Sequence, residues 1–95
     1  MTDSLLTRNR DLILRVAARH GAGNVRVFGS CARGDAGSDS DIDLLVDLEP
    51  GRTLLDHVGL WQELQELLGR KVDVVVEGGI SPYLQERILA EARPL

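Results

Sequence analysis

Asp41-Ile42-Asp43-Leu44-Leu45-Val46-Asp47 opens on alternating acidic and apolar residues and runs into three consecutive apolar ones. That pattern predicts a strand, half of it a continuous apolar run. Residues 71–77 (KVDVVVE) predict another, β-branched and interrupted only by Asp73. Between them, Glu49-Pro50-Gly51 reads as a turn and residues 53–68 as a helix. Its apolar stripe is taken as Leu54, Leu55, Val58, Trp61, Leu64 and Leu68. Thr53 with Asp56 three residues on resembles a capping box, and Gly69 closes the helix. Working outward, residues 2–20 predict an amphipathic helix with Thr2 or Ser4 at its start and Gly21 past its end. Residues 24–28 predict a short strand, 30–33 one helical turn, and 35–40 (DAGSDS) a loop. Gly78-Gly79 ends the last strand, and Ser81-Pro82 opens a final helix reaching about residue 92. The resulting order is α-β-(short α)-β-α-β-α, an α/β (α+β) chain with helices packed against a small sheet.

Ninety-five residues leave room for one core, so residues 1–95 are expected to form a single domain. Hydrophobic residues at 43% and charged residues at 27% exclude a disordered or fibrous chain. Three aromatic residues (Phe28, Trp61 and Tyr83) are too few for base-stacking platforms, so the core must be aliphatic. Trp61 and Tyr83 fall at helical positions compatible with packing, and His20 and His57 read as helix-surface residues. No apolar stretch is long enough to span a membrane, and the first ten residues lack the apolar centre of a signal peptide, which predicts a cytoplasmic protein. A lone cysteine, Cys31, makes neither an internal disulfide nor a zinc site, and reads as a small packed residue.

The net charge of −4 conceals an asymmetry. Residues 1–34 carry six arginines against two aspartates, whereas residues 35–66 carry nine acidic groups against Arg52 alone. Asp41 and Asp43, two apart in a strand, leave the same face about 7 Å apart. Asp73 lies in the next strand, and neighbouring strands stand about 5 Å apart. If the two strands pair in register, three carboxylates converge. Like charges at about 4 Å repel by roughly 4 kcal/mol at an effective dielectric near 20, so such a group protonates or holds a cation. Carboxylates with open water positions suit Mg²⁺. The plainer alternative makes each aspartate a solvent-facing strand residue. A calcium loop counted from Asp39 fails, because its sixth and twelfth positions are Leu44 and Pro50.

Upstream, Gly29-Ser30 follows a strand and precedes a helical turn, where backbone N–H groups can meet a phosphate. Ser30 would add a hydroxyl, and Arg33, one turn on, could reach the same anion or pair with Asp35 instead. No Gly-Lys-Ser/Thr follows, so this is no P-loop.

Gly29-Ser30, ten residues, then Asp41-Ile42-Asp43 resembles the G-S-x₁₀-D-x-D signature of the minimal nucleotidyltransferases. These are small members of the DNA polymerase β-like superfamily. Gly29–Gly34, Ser40–Val46 and Asp73 in Lys71–Val75 all resemble family text, and residues 82–95 look like the family's terminal helix. Cys31 departs from the basic or polar residue frequent there, which bears on substrate contacts but removes no catalytic group. The resemblance implies a small mixed β-sheet and Mg²⁺-dependent transfer from ATP. Asp41, Asp43 and Asp73 would be the catalytic metal ligands, with two ions expected; Gly29, Ser30 and Arg33 would bind the nucleotide. Asp73 would also help activate the acceptor hydroxyl, with pyrophosphate leaving in line.

The resemblance further implies a partner, an HEPN-domain ribonuclease toxin encoded nearby, on whose tyrosine this chain would place AMP as an antitoxin. The small size leaves little surface for an acceptor, which also suggests a hetero-oligomer. The arginines of the first helix (Arg8, Arg10, Arg15 and Arg19) offer either a partner surface or a solvated face. Net negative charge opposes direct binding of nucleic acid. Two other readings stay open at this point: an antitoxin that neutralises by binding alone, and a transferase acting on a small molecule or RNA.

Overall fold

A computed structural model describes residues 4–29, 32, 41–77 and 82–95. Its elements are α1 (Ser4–Arg8), α2 (Arg10–Arg19), β1 (Ala22–Phe28), β2 (Ile42–Leu48), α3 (Leu54–Leu68), β3 (Val72–Val76), α4 (Pro82–Glu91) and β4 (Arg93–Pro94). The strands form one mixed sheet in the order β3-β2-β1-β4. β1 runs antiparallel to both its neighbours, while β2 and β3 are parallel. A parallel pair needs a crossover, and α3 supplies it.

The core lies where α2 and α3 cover one face of the sheet. Ile13, Val16 and Ala17 of α2 and Leu60, Leu64 and Leu68 of α3 meet Val25, Val27, Ile42, Leu44, Val46, Val72 and Val74. Among the described residues no polar or charged one is buried there. The opposite face of β2 carries Asp43, Leu45 and Asp47, because side chains alternate along a strand. This alternation separates a dry aliphatic face from one that bears the charges.

Several expectations are corrected. The first helix is broken at Asn9, whose side-chain amide donates to Leu5 O at 2.9 Å and competes with the helical backbone. β1 starts at Ala22, two residues early. Its register slips between Gly23 and Arg26, and Asn24 takes φ +48°, so a bulge admits residues that look like a loop. β4 escaped notice because two residues carry no periodicity, and its Pro94 sits on an edge strand, where a missing N–H is tolerated.

The stripe read in α3 was rotated. Leu60, Leu64 and Leu68 are buried, whereas Leu54 and Leu55 are 73% and 82% exposed and Trp61 is partly covered, at 36% exposed. Tyr83 is 92% exposed rather than packed, and α4 has no fully buried residue. The histidines are not plain surface groups either. His20 Nε2 meets Glu63 Oε1 at 3.0 Å, and His57 Nε2 lies 2.6 Å from Val74 O. Arg19 also pairs with Glu63, whose carboxyl is held below its usual range first by the His20 hydrogen bond and then by Arg19.

Other expectations hold. Thr53 and Asp56 form the capping box, with Leu55 N–H donating to Thr53 Oγ1 at 3.2 Å and Thr53 N–H donating to Asp56 Oδ2 at 2.9 Å. Gly69 ends α3 in the left-handed conformation, φ +65°. Of the turn expected over 30–33, Ala32 is described, helical and half-buried against the core. Thr2, Cys31, the 35–40 loop, Gly78-Gly79 and Ser81 lie outside the described residues.

At one end of the charged face, Arg26 on β1 reaches across two strands and is only 12% exposed. Its guanidinium meets Asp47 Oδ1 at 2.8 Å and Glu77 Oε1 at 3.5 Å, and its Nε–H donates to Asn24 O. The Asn24 side-chain amide is the main cause that holds the Asp47 carboxyl below its ordinary range; burial, the next largest effect, opposes it, and Glu77 and Arg26 add to the lowering. A depressed carboxyl stabilises the fold above its unfolded value of about 3.9 and loses that contribution as pH falls through the folded value. Urea midpoints should therefore show wild type more stable than Asp47→Asn at pH 6, with the gap closing as the pH drops below about 4.

Candidate active site

Of the residues picked out from sequence, the described ones (Gly29, Asp41, Asp43 and Asp73) lie where β1 ends and β2 and β3 begin. In the β2–β3 register Asp43 stands directly beside Asp73, and in the β1–β2 register Phe28 stands opposite Asp43. In-register neighbours project to the same face, so the two carboxylates share the surface opposite α2 and α3. This places like charges side by side on strands about 5 Å apart. Asp41 precedes β2 and stands beside Lys71, whose Nζ lies 3.8 Å from Asp41 Oδ2. The Lys71 carbonyl accepts from Ile42 N–H at 3.0 Å, so the ladder begins level with Asp41.

Gly29 follows β1 directly and turns the chain with φ +73°. A Cβ built on it would overlap the Asp43 carboxylate. Only glycine lets the backbone lie this close to that group, and only glycine takes this φ without penalty. Ser30 and Arg33 lie outside the described residues.

Beside Asp73, the free edge of β3 and the first half of α3 frame an open groove of about 200 Å³, lined by Leu54, His57, Val58, Trp61, Asp73 and Val74. The exposed leucine and tryptophan that do not belong to the core thus form the wall next to a site carboxylate. Among the described residues, no three His, Cys, Asp or Glu side chains group closely enough to hold a metal alone. Magnesium does not need such a cage, since it binds through one or two carboxylates and completes its shell with phosphate oxygens and water. All three donors are hard carboxylate oxygens, which fits that ion.

The described site thus joins a parallel strand pair with adjacent carboxylates to a glycine turn set against one of them. The nucleotidyltransferase domain family matches residues 10–95, and the chain belongs to it, among the minimal nucleotidyltransferases. A solved minimal-nucleotidyltransferase structure is 55% identical, with a TM-score of 0.88 over 100% of this chain and 97% of that one. The protein adenylyltransferase MntA of Thermococcus cleftensis is 36% identical, covering 94% of this chain and 87% of its own. The fold also matches, at 20% identity and a TM-score of 0.71, a chain in the complex of a tri-AMPylated Shewanella oneidensis HEPN toxin with its MNT antitoxin, covering 93% of this chain and 69% of that one.

Sequence reasoning missed His57, Gln65 and Lys71. A charge at position 71 beside Asp41 follows from the strand register, and no motif marks His57 or Gln65, because their partners are backbone groups of β3, the Val74 carbonyl and the Val72 N–H, which carry no side-chain signal.

Proposed function

We propose that this chain is an antitoxin that transfers AMP from ATP to a tyrosine hydroxyl of an HEPN ribonuclease toxin, acting in the cytoplasm with Mg²⁺. The observation that carries the reading is the register match of Asp43 with Asp73, with Gly29 set against Asp43. Likeness to a protein adenylyltransferase over nearly the whole chain supports the choice of a protein acceptor. A fold shared with a chain of a toxin–antitoxin complex supports the choice of partner.

In this reading Asp41 and Asp43 would hold Mg²⁺, which when bound would neutralise the triphosphate and stabilise charge building on the α-phosphate. Gly29 would let the backbone approach the β- and γ-phosphates, with Ser30 and Arg33 as further anion contacts. Asp73 would complete the metal-binding carboxylates and orient the tyrosine hydroxyl for proton loss. The tyrosine oxygen then bonds to the α-phosphorus as the bond to the β-phosphate oxygen breaks, releasing pyrophosphate and leaving AMP on the partner.

The test mixes the protein with Mg²⁺, α-labelled ATP and the HEPN protein encoded beside it, and locates added AMP by mass spectrometry. Label on a partner tyrosine is expected. Neutralisation without label would favour an antitoxin that acts by binding alone, and label appearing only on RNA or a small molecule would replace the acceptor.

Gly29→Ala should separate the site from the fold. Forcing an L-residue to a left-handed φ costs about 1–2 kcal/mol, and the added methyl must displace the Asp43 carboxylate. Transfer should fall by roughly 10²-fold, as expected for a misplaced reacting group, while the variant still melts cooperatively.

A further inference from the structure

Among the described residues, the strand that carries Asp73 is one of the two outer strands of the sheet. Along a parallel pair, alternate residues point both backbone groups at the same neighbour. Ile42 N–H donates to Lys71 O and Glu77 N–H donates to Val46 O, so residues 71, 73, 75 and 77 turn their backbone groups toward β2. Val72 and Val74 therefore turn theirs toward the free edge. Both are met by side chains from one helix. Val72 N–H donates to Gln65 Oε1 at 3.1 Å, and His57 Nε2 lies 2.6 Å from Val74 O. Since a carbonyl can only accept, His57 carries its proton on Nε2 there.

We infer that His57 and Gln65 form a clamp that takes the place of a missing neighbour strand and holds Asp73 at its working distance from Asp43. The two bonds fall on the residues flanking Asp73, one on each side. His57 and Gln65 are eight residues apart on α3, so they lie on the same side of that helix two turns apart. An outer strand tied only through β2 could shift or fray at its start, where unpaired backbone groups would be open to water. Anchoring both flanks to a helix fixed in the core by Leu60, Leu64 and Leu68 leaves the carboxylate little freedom. The same clamp occupies hydrogen-bonding groups through which another chain's strand could pair. His57 and Gln65 are positioning residues, since they act through β3.

This inference rests on the proposed role of Asp73, so its test reads structure and activity separately. Leucine at 57 or 65 removes the bond, whereas His57→Gln keeps a donor and Gln65→Glu keeps an acceptor. Amide hydrogen exchange of the whole chain is followed first, and needs no activity. Val72 N–H should exchange at least about tenfold faster in Gln65→Leu, with the β1–β2 amides unchanged and protection returning in Gln65→Glu. AMP transfer from Mg·ATP to the HEPN partner is measured next. His57→Leu and Gln65→Leu should each lower kcat about 10- to 100-fold, the usual size for loss of an orienting partner, with KM for ATP nearly unchanged. Substantial recovery is expected in His57→Gln and Gln65→Glu.

Unchanged Val72 exchange in Gln65→Leu would overturn the clamp whatever the activity. Faster exchange with unaltered kcat would overturn its link to Asp73. Faster exchange in a chain that transfers no AMP even as wild type would leave the clamp standing structurally while overturning both the proposed function and the positioning role.

Discussion

Asp43→Asn should lower AMP transfer by about 10²–10³-fold, the loss typical of removing one group that stabilises transition-state charge, while leaving the protein at least as stable as wild type. The two effects have one cause. Asp43 stands in register with Asp73, and like charges side by side on neighbouring strands destabilise a sheet. Replacing one carboxylate with its neutral isostere removes that repulsion and with it the pair on which a cation would sit. Single-turnover transfer and a thermal melt on the same preparation check both halves. A midpoint that falls by several degrees would assign Asp43 a structural task. Retained transfer would remove it from the chemistry.

Leu64→Ala should have the largest effect on stability. Leu64 lies at the centre of the buried row on α3, 1% exposed, against a core built wholly of aliphatic side chains. Truncating a buried leucine costs about 2–5 kcal/mol, a large share of the 5–15 kcal/mol that stabilises an ordinary domain. For a chain of this size each kcal/mol moves the melting point by about 4–8 °C, so a drop of at least roughly 10 °C is expected in calorimetry. Leu55→Ala offers the contrast. At 82% exposed it should change stability by less than about 0.5 kcal/mol, a midpoint shift of at most about 4 °C, although the sequence pattern placed both leucines on one stripe.

That pair of leucines shows where sequence reading succeeds and where it stops. Residues 54–68 are apolar often enough to specify a helix and to set its ends through Thr53, Asp56 and Gly69, all local effects. So many apolar positions nevertheless allow more than one stripe, and only the sheet decides which one is buried. The surplus, Leu54, Val58 and Trp61, lines the groove beside Asp73. β1 shows the same limit from the other side, since Ala22 and Gly23, left outside the expected strand, pair with β2 across a register slip that no local pattern announces. Asp43 and Asp73 were legible as candidates because each breaks an apolar strand, an unfavourable placement that asks for a reason. Their mutual register was not, since strands 43 and 73 residues along the chain can pair in several ways.

By itself the sequence determined the types of the main elements, the caps of α3, the aliphatic character of the core and the candidate site residues. These follow from nearest-neighbour geometry, the periods of 2 and 3.6, and the solvation of charge. Tertiary structure alone decided that β3 is an outer strand, that Asp43 and Asp73 stand side by side, and that His57 and Gln65 reach across to hold that strand. Each of these depends on backbone groups of one element finding partners on another, and every backbone N–H and C=O looks alike until the chain has folded.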